Sequence, residues 1–169
     1  MNHYVQQHNK VIFLQGELEM INYPLFFESQ TAAPSGTHGT WVTQSEKHSS
    51  VCCVPQEFLG SGGALSPEDL FNHALTNCFI ATFKVYAENS KLSFDSVTAN
   101  SRLVVEADEN HKVTMKSIHI HIKIFNPSSS DKALLLAKKA SNAGFILNSV
   151  KTDRYFTFEI ESNVNSSEV

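Results

Sequence analysis

Cysteine is scarce in this 169-residue chain and arginine scarcer still. The three cysteines, Cys52, Cys53 and Cys78, are odd in number and form no CxxC pair, which excludes a disulfide framework and a cysteine-built zinc site. Only Arg102 and Arg154 carry guanidinium groups, and 13 Lys and Arg against 17 Asp and Glu leave a net charge of −4. A surface of that balance is a poor match for nucleic acid or an anionic membrane. Nowhere does an apolar run reach the roughly 18 residues needed to span a bilayer. Met1 to Lys10 is polar and lacks the apolar centre of a signal peptide, so the expected location is cytoplasmic. With 41% apolar residues the chain can bury a core of its own, and it reads as a single domain over 1–169. Its ends, 1–10 and 163–169, are expected to fray.

What the chain does have is one dense helical segment. Ser66 suits an N-cap, Pro67 the first helical position, and Glu68 and Asp69 the first turn, where the helix dipole favours anions. From Pro67 to about Ser90 apolar residues recur at helical spacing: Phe71, Ala74, Leu75, Cys78, Thr82, Val85 and Tyr86 make one stripe. Leu70, Phe79, Ala81 and Phe83 widen it, as expected of a helix buried on most sides. Cys78 lies inside that stripe, where it is either a small packed hydrophobe or a nucleophile.

Around this helix the period is that of strands. Val11–Leu18 and Tyr23–Ser29 read as strands with a turn near Ile21-Asn22, followed by a loop over Thr31–Thr40 and short strands at Trp41–Thr43 and Ser49–Val54. Phe58 to Leu65, rich in glycine, reads as a loop delivering the chain to Ser66. Ser96–Glu106 alternates, Asp108–His111 turns, and Val113–Phe125 is the clearest strand, with Ile118, Ile120, Ile122 and Ile124 on one side and Ser117, His119, His121 and Lys123 on the other. A second helix is predicted over Lys132–Ala143, stopped at Gly144, then a helical turn over Phe145–Val150 and a last strand at Tyr155–Glu161. The sum is an α+β fold of two antiparallel β-sheets and two main helices.

The run Pro55-Gln-Glu-Phe-Leu-Gly-Ser-Gly-Gly, leading into Pro67-Glu68-x-Leu70-Phe71 and then Asn77-Cys78-Phe79, resembles the central motif of the OsmC/Ohr family, the osmotically inducible and organic hydroperoxide resistance proteins. The likeness extends over roughly Val11 to Glu161. It implies an OsmC-like fold assembled as an intertwined homodimer, with two long helices, one from each chain, packed at the centre. It also implies a thiol-dependent peroxidase reducing organic hydroperoxides, and less efficiently hydrogen peroxide, with a small thiol as reductant and no cofactor. By that resemblance Cys78 occupies the peroxidatic position and Glu68 the glutamate that helps activate it. On a straight helix ten residues separate the two by roughly 15 Å, so they can meet only across a dimer.

The chain departs from the family pattern at two places. The family's resolving cysteine follows the second helix, where this sequence has Ala143-Gly144-Phe145. Its activating arginine lies in the loop after the early strands, where this sequence has Ser35-Gly36-Thr37-His38-Gly39-Thr40, leaving His38 as the candidate cation. Cys52 and Cys53 are candidates for the missing resolving thiol. Their plainer reading is a strand end with one thiol buried and one exposed. Glu68 is likewise explained by the helix dipole alone. His119 and His121 share a strand face but lack a third metal ligand, and His73 is rotated about 140° from Cys78 on the helix. Two functions of different class stay open: a peroxidase working through Cys78, and a non-catalytic OsmC-fold dimer holding an apolar ligand in its interface pocket.

Overall fold

Side-chain period switches from two to about 3.6 and back along the chain, and the elements follow those switches. The computed structural model describes residues 11–14, 17–20 and 23–162. It falls into two compact units, Met1–Ser66 and Pro67–Val169. The expectations for the two tails and for a turn at Ile21-Asn22 lie outside the described residues.

The first unit holds five short strands: β1 (Val11–Leu14), β2 (Glu17–Met20), β3 (Gln30–Ala32), β4 (Trp41–Ser45) and β5 (His48–Cys52). β1 and β2 form an antiparallel hairpin, and β3, β4 and β5 an antiparallel sheet in that order. The single strand expected over Val11–Leu18 is therefore two strands. Tyr23–Ser29, also expected as a strand, is irregular and exposed throughout. Pro24 brings no N–H to a ladder there, and no described strand pairs with the segment. The glycine-rich stretch is a loop: Gly60 lies against the Val54 backbone, leaving no room for a Cβ, and Gly62 and Gly63 take positive φ.

The second unit holds α1 (Pro67–Asn89), β6 (Ser96–Ala107), β7 (Val113–Phe125), α2 (Ser130–Ala143) and β8 (Asp153–Glu161). Its sheet runs β6-β7-β8. β6 and β7 are antiparallel, but β8 lies parallel to β7. The sheet is thus mixed rather than purely antiparallel, because α2 carries the chain back across its face before β8 begins. Ser129 caps α2, accepting a hydrogen bond from the Lys132 backbone N–H. The Lys132 ammonium reaches back to the Ser90 carbonyl just beyond α1, a cation placed where the helix dipole favours one.

The core of this unit forms where the apolar side of β7 meets the two helices. Ile118, Ile120, Ile122 and Ile124 are at most 1% exposed and pack with Leu75, Phe79, Phe83 and Ala87 of α1 and with Ala133, Leu136, Ala137 and Ala140 of α2. Each such isoleucine contributes roughly 1.5–3 kcal/mol by leaving water. Phe79 anchors the layer between Phe83 (6.1 Å, stacked) and Phe156 of β8 (5.6 Å, tilted). The buried side of α1 is narrower than its apolar stripe: Ala74, Ala81 and Val85 stay exposed within the described structure.

Candidate functional site

Cys78 sits midway along α1, on the side that meets the core, and is 6% exposed. Its carbonyl accepts from the Thr82 hydroxyl at 2.8 Å. Among the described residues no hydrogen bond reaches its sulfur. The position facing that sulfur is Gly144: a Cβ built there would stand 2.8 Å from Cys78 Sγ and 3.0 Å from Leu147 Cδ1.

Gly144 ends α2 with φ −62° and ψ 122°, ordinary extended backbone open to any residue. The glycine is therefore demanded by close approach to the thiol and not by its backbone conformation, and the helix stops there as expected. The turn after it, Leu147–Ser149, is held by the Arg154 guanidinium, which donates to the Leu147 carbonyl and, at 2.9 Å, to Asn148 Oδ1. Arg154 is thus committed to this turn.

Glu68 lies in the first turn of α1, and its Oε2 is buried with no hydrogen-bond partner among the described residues. A buried carboxylate oxygen left unpaired costs on the order of 1–3 kcal/mol. In the first unit, His38 is exposed on the loop between β3 and β4. Cys52 and Cys53 are both fully buried. That corrects the expectation of one buried and one exposed thiol. β5 ends at Cys52, the Ala64-Leu65 segment lies along that end through a Cys53 N–H to Leu65 carbonyl bond of 3.0 Å, and the Cys53 thiol donates to the Ala64 carbonyl at 3.3 Å.

Among the described residues no three His, Cys, Asp or Glu side chains gather as metal ligands, and no helix is long and apolar enough to cross a membrane. His73 is exposed on α1. His119 and His121 sit on the outer face of β7, where His119 stacks on Tyr155 at 4.8 Å and His121 bonds Thr157 Oγ1 at 2.9 Å. Sequence reading missed Gly144 as the neighbour of Cys78. Its one available signal was a helix-stopping glycine at the place where the resemblance implies a resolving thiol.

The fold recurs in solved structures. An OsmC-like protein of Vibrio cholerae is 13% identical over 80% of this chain and 99% of its own, with a TM-score of 0.71. An organic hydroperoxide resistance protein of Elizabethkingia anophelis is 16% identical over 85% and 100%, with a TM-score of 0.65. An organic hydroperoxide resistance protein OsmC of Legionella pneumophila is 22% identical over 82% and 99%, with a TM-score of 0.64. Such identities speak for the fold alone. No curated protein sequence matches the chain significantly. The model of the OsmC-like proteins matches residues 60–159, from the glycine-rich loop through Cys78 to β8, and on that match the chain belongs to the OsmC-like protein family.

Proposed function

We propose that this protein is a cytoplasmic, homodimeric thiol peroxidase of the OsmC/Ohr type that reduces organic hydroperoxides, and hydrogen peroxide less well, through Cys78. The observation that carries the reading is the unpartnered buried oxygen of Glu68 on the same helix as Cys78. The first turn of α1 lies too far from Cys78 for the two to act together within one chain. In a dimer with the two α1 helices side by side, Glu68 of one copy serves the thiol of the other, and the exposed His38 loop is the candidate source of a cation. Two copies also account for Phe26 and Phe27, 81% and 87% exposed in the single chain. This reading takes residues 1–169 as one domain and requires no cofactor.

The chemistry balances with one protein thiol. The Cys78 thiolate attacks the distal peroxide oxygen, the O–O bond breaks, and the alkoxide leaves as alcohol after taking a proton. The sulfenic acid then condenses with a thiol, external or from Cys52 or Cys53, releasing water. A second thiol displaces Cys78 from that disulfide. The test is consumption of cumene hydroperoxide with dithiothreitol as reductant: Cys78→Ser abolishes it if the reading is right, and turnover surviving that change removes it.

A second reading rests on a different observation. Cys78 is nearly buried among apolar side chains, and Gly144 stands where a second thiol would be. A non-catalytic OsmC-fold dimer holding an apolar ligand at its interface is consistent with both. The alkylation rate of Cys78 as a function of pH separates the two. A midpoint well below the ordinary thiol value of about 8.5 supports the peroxidase, and an ordinary midpoint supports the binding protein.

A further inference from the structure

The outer face of the β6-β7-β8 sheet, opposite the isoleucines, carries three cross-strand rows set by the register. Arg102 pairs across His119 to Tyr155, Asn100 across His121 to Thr157, and Thr98 across Lys123 to Glu159. The first two rows line a hollow of about 330 Å³. The third row is internally paired: Lys123 bonds Glu159 at 2.9 Å and also pairs with Glu161, while His121 Nε2 lies 3.3 Å from Glu159. The acidic groups at that end are therefore occupied.

Arg102 is different. It is exposed, and among the described residues its guanidinium enters no ion pair and no hydrogen bond. Asp153, two positions before Tyr155 on the same strand face, forms no ion pair with it. Beside this unspent planar cation, the His119 and Tyr155 rings stack at 4.8 Å with an interplanar angle of 21°, forming an aromatic wall. His121 is locked by its bonds to Thr157 and Glu159, so the floor of the hollow is preorganised.

We infer that this hollow binds a small aromatic carboxylate, whose carboxylate takes a two-pronged salt bridge from Arg102 while its ring lies against His119 and Tyr155. A guanidinium matches a carboxylate through two parallel N–H donors, which a lone phenolic or imidazole group cannot do. Stacked rings select for a flat apolar body on the same ligand. The site uses neither Cys78 nor Glu68 and is independent of the peroxidase reading.

The test is a titration of the full-length protein with benzoate, followed by amide chemical shifts. Benzoate is expected to move the amides around Asn100–Arg102, His119–His121 and Tyr155–Thr157 and to bind more tightly than benzamide or acetate. Arg102→Gln is expected to weaken it about tenfold or more without changing the thermal unfolding midpoint, because Arg102 has no partner to lose. Tyr155→Ala is expected to narrow the gap between benzoate and acetate. Benzoate leaving those amides unmoved overturns the inference, as do benzamide binding equally well and Arg102→Gln binding benzoate undiminished.

Discussion

Gly144 lies so close to Cys78 that a Cβ built on it would stand 2.8 Å from the sulfur. The end of α2 and the middle of α1 thus meet through a hydrogen atom on one side and a thiol on the other. Any larger residue at 144 has to move the sulfur, move Leu147 or, if it is a cysteine, bond to the sulfur.

Gly144→Ala is expected to lower stability by about 1–3 kcal/mol, the usual range for forcing atoms into a packed core. The backbone at 144 suits alanine, and on backbone entropy alone the change would stabilise the fold by about 0.4–1 kcal/mol. The two effects have opposite signs. Urea unfolding decides between them, and a more stable variant would show that the contact is slack.

Gly144→Cys should restore a second thiol in bonding position. Disulfide geometry sets a β-carbon about 3 Å from the partner sulfur, close to the 2.8 Å found here. On mild oxidation the variant is expected to lose the mass of two hydrogen atoms and to protect both Cys78 and the new cysteine from alkylation. The same substitution in a Cys78→Ser background should form no such bond. Free Cys78 in the oxidised single variant would refute the placement.

Ile122→Ala removes a side chain that is fully buried in the centre of β7, facing α1 and α2. The expected cost is about 2–5 kcal/mol, the sum of lost transfer energy and a cavity that a close-packed layer cannot collapse. The urea midpoint should fall with little change in slope, and a loss under about 1 kcal/mol would mean that the layer is not close-packed.

Lys123 and Glu159 give the outer face a pH dependence whose sign is set by their pairing. The hydrogen bond from Lys123 holds the Glu159 carboxyl below its ordinary value, with His121 adding to the effect. Hydrogen bonds to Glu161 and then Glu159 hold the Lys123 ammonium above its ordinary value. The Glu159 contribution is present above the unfolded carboxyl pKa and is lost as pH falls through the depressed folded value. The Lys123 contribution is present below 10.5 and is lost as pH rises through the elevated one. Both groups face solvent, so the effect on stability is small. Lys123→Met should raise the titration midpoint of Glu159 followed by carbon NMR, and an unmoved midpoint would sink the assignment.

Much of the fold was legible in the residues themselves. β7 coincides with the expected strand over Val113–Phe125, because four isoleucines at every second position leave one register that buries them all. α1 ends at Asn89, within a residue of expectation, and α2, capped by Ser129, begins at Ser130, two residues before the expected Lys132. The early strands were less legible. Their apolar runs are short, and the aromatic string at Tyr23–Phe27 mimics a strand while Pro24 cannot join a ladder.

Of the candidate site, the helix bearing Glu68 and Cys78 was visible, since capping residues and a 3.6-residue period act over neighbours in the chain. Such local preferences by themselves determined where the helices and the long strands form and which side of each is apolar. Only the tertiary structure decided that Gly144 abuts the Cys78 sulfur, that β8 lies parallel to β7, that Cys52 and Cys53 are both enclosed, and that Arg102 stands beside the His119–Tyr155 stack. Each of these joins segments distant along the chain, and such contacts are chosen by how whole layers pack and pair, a property that no short window of residues carries.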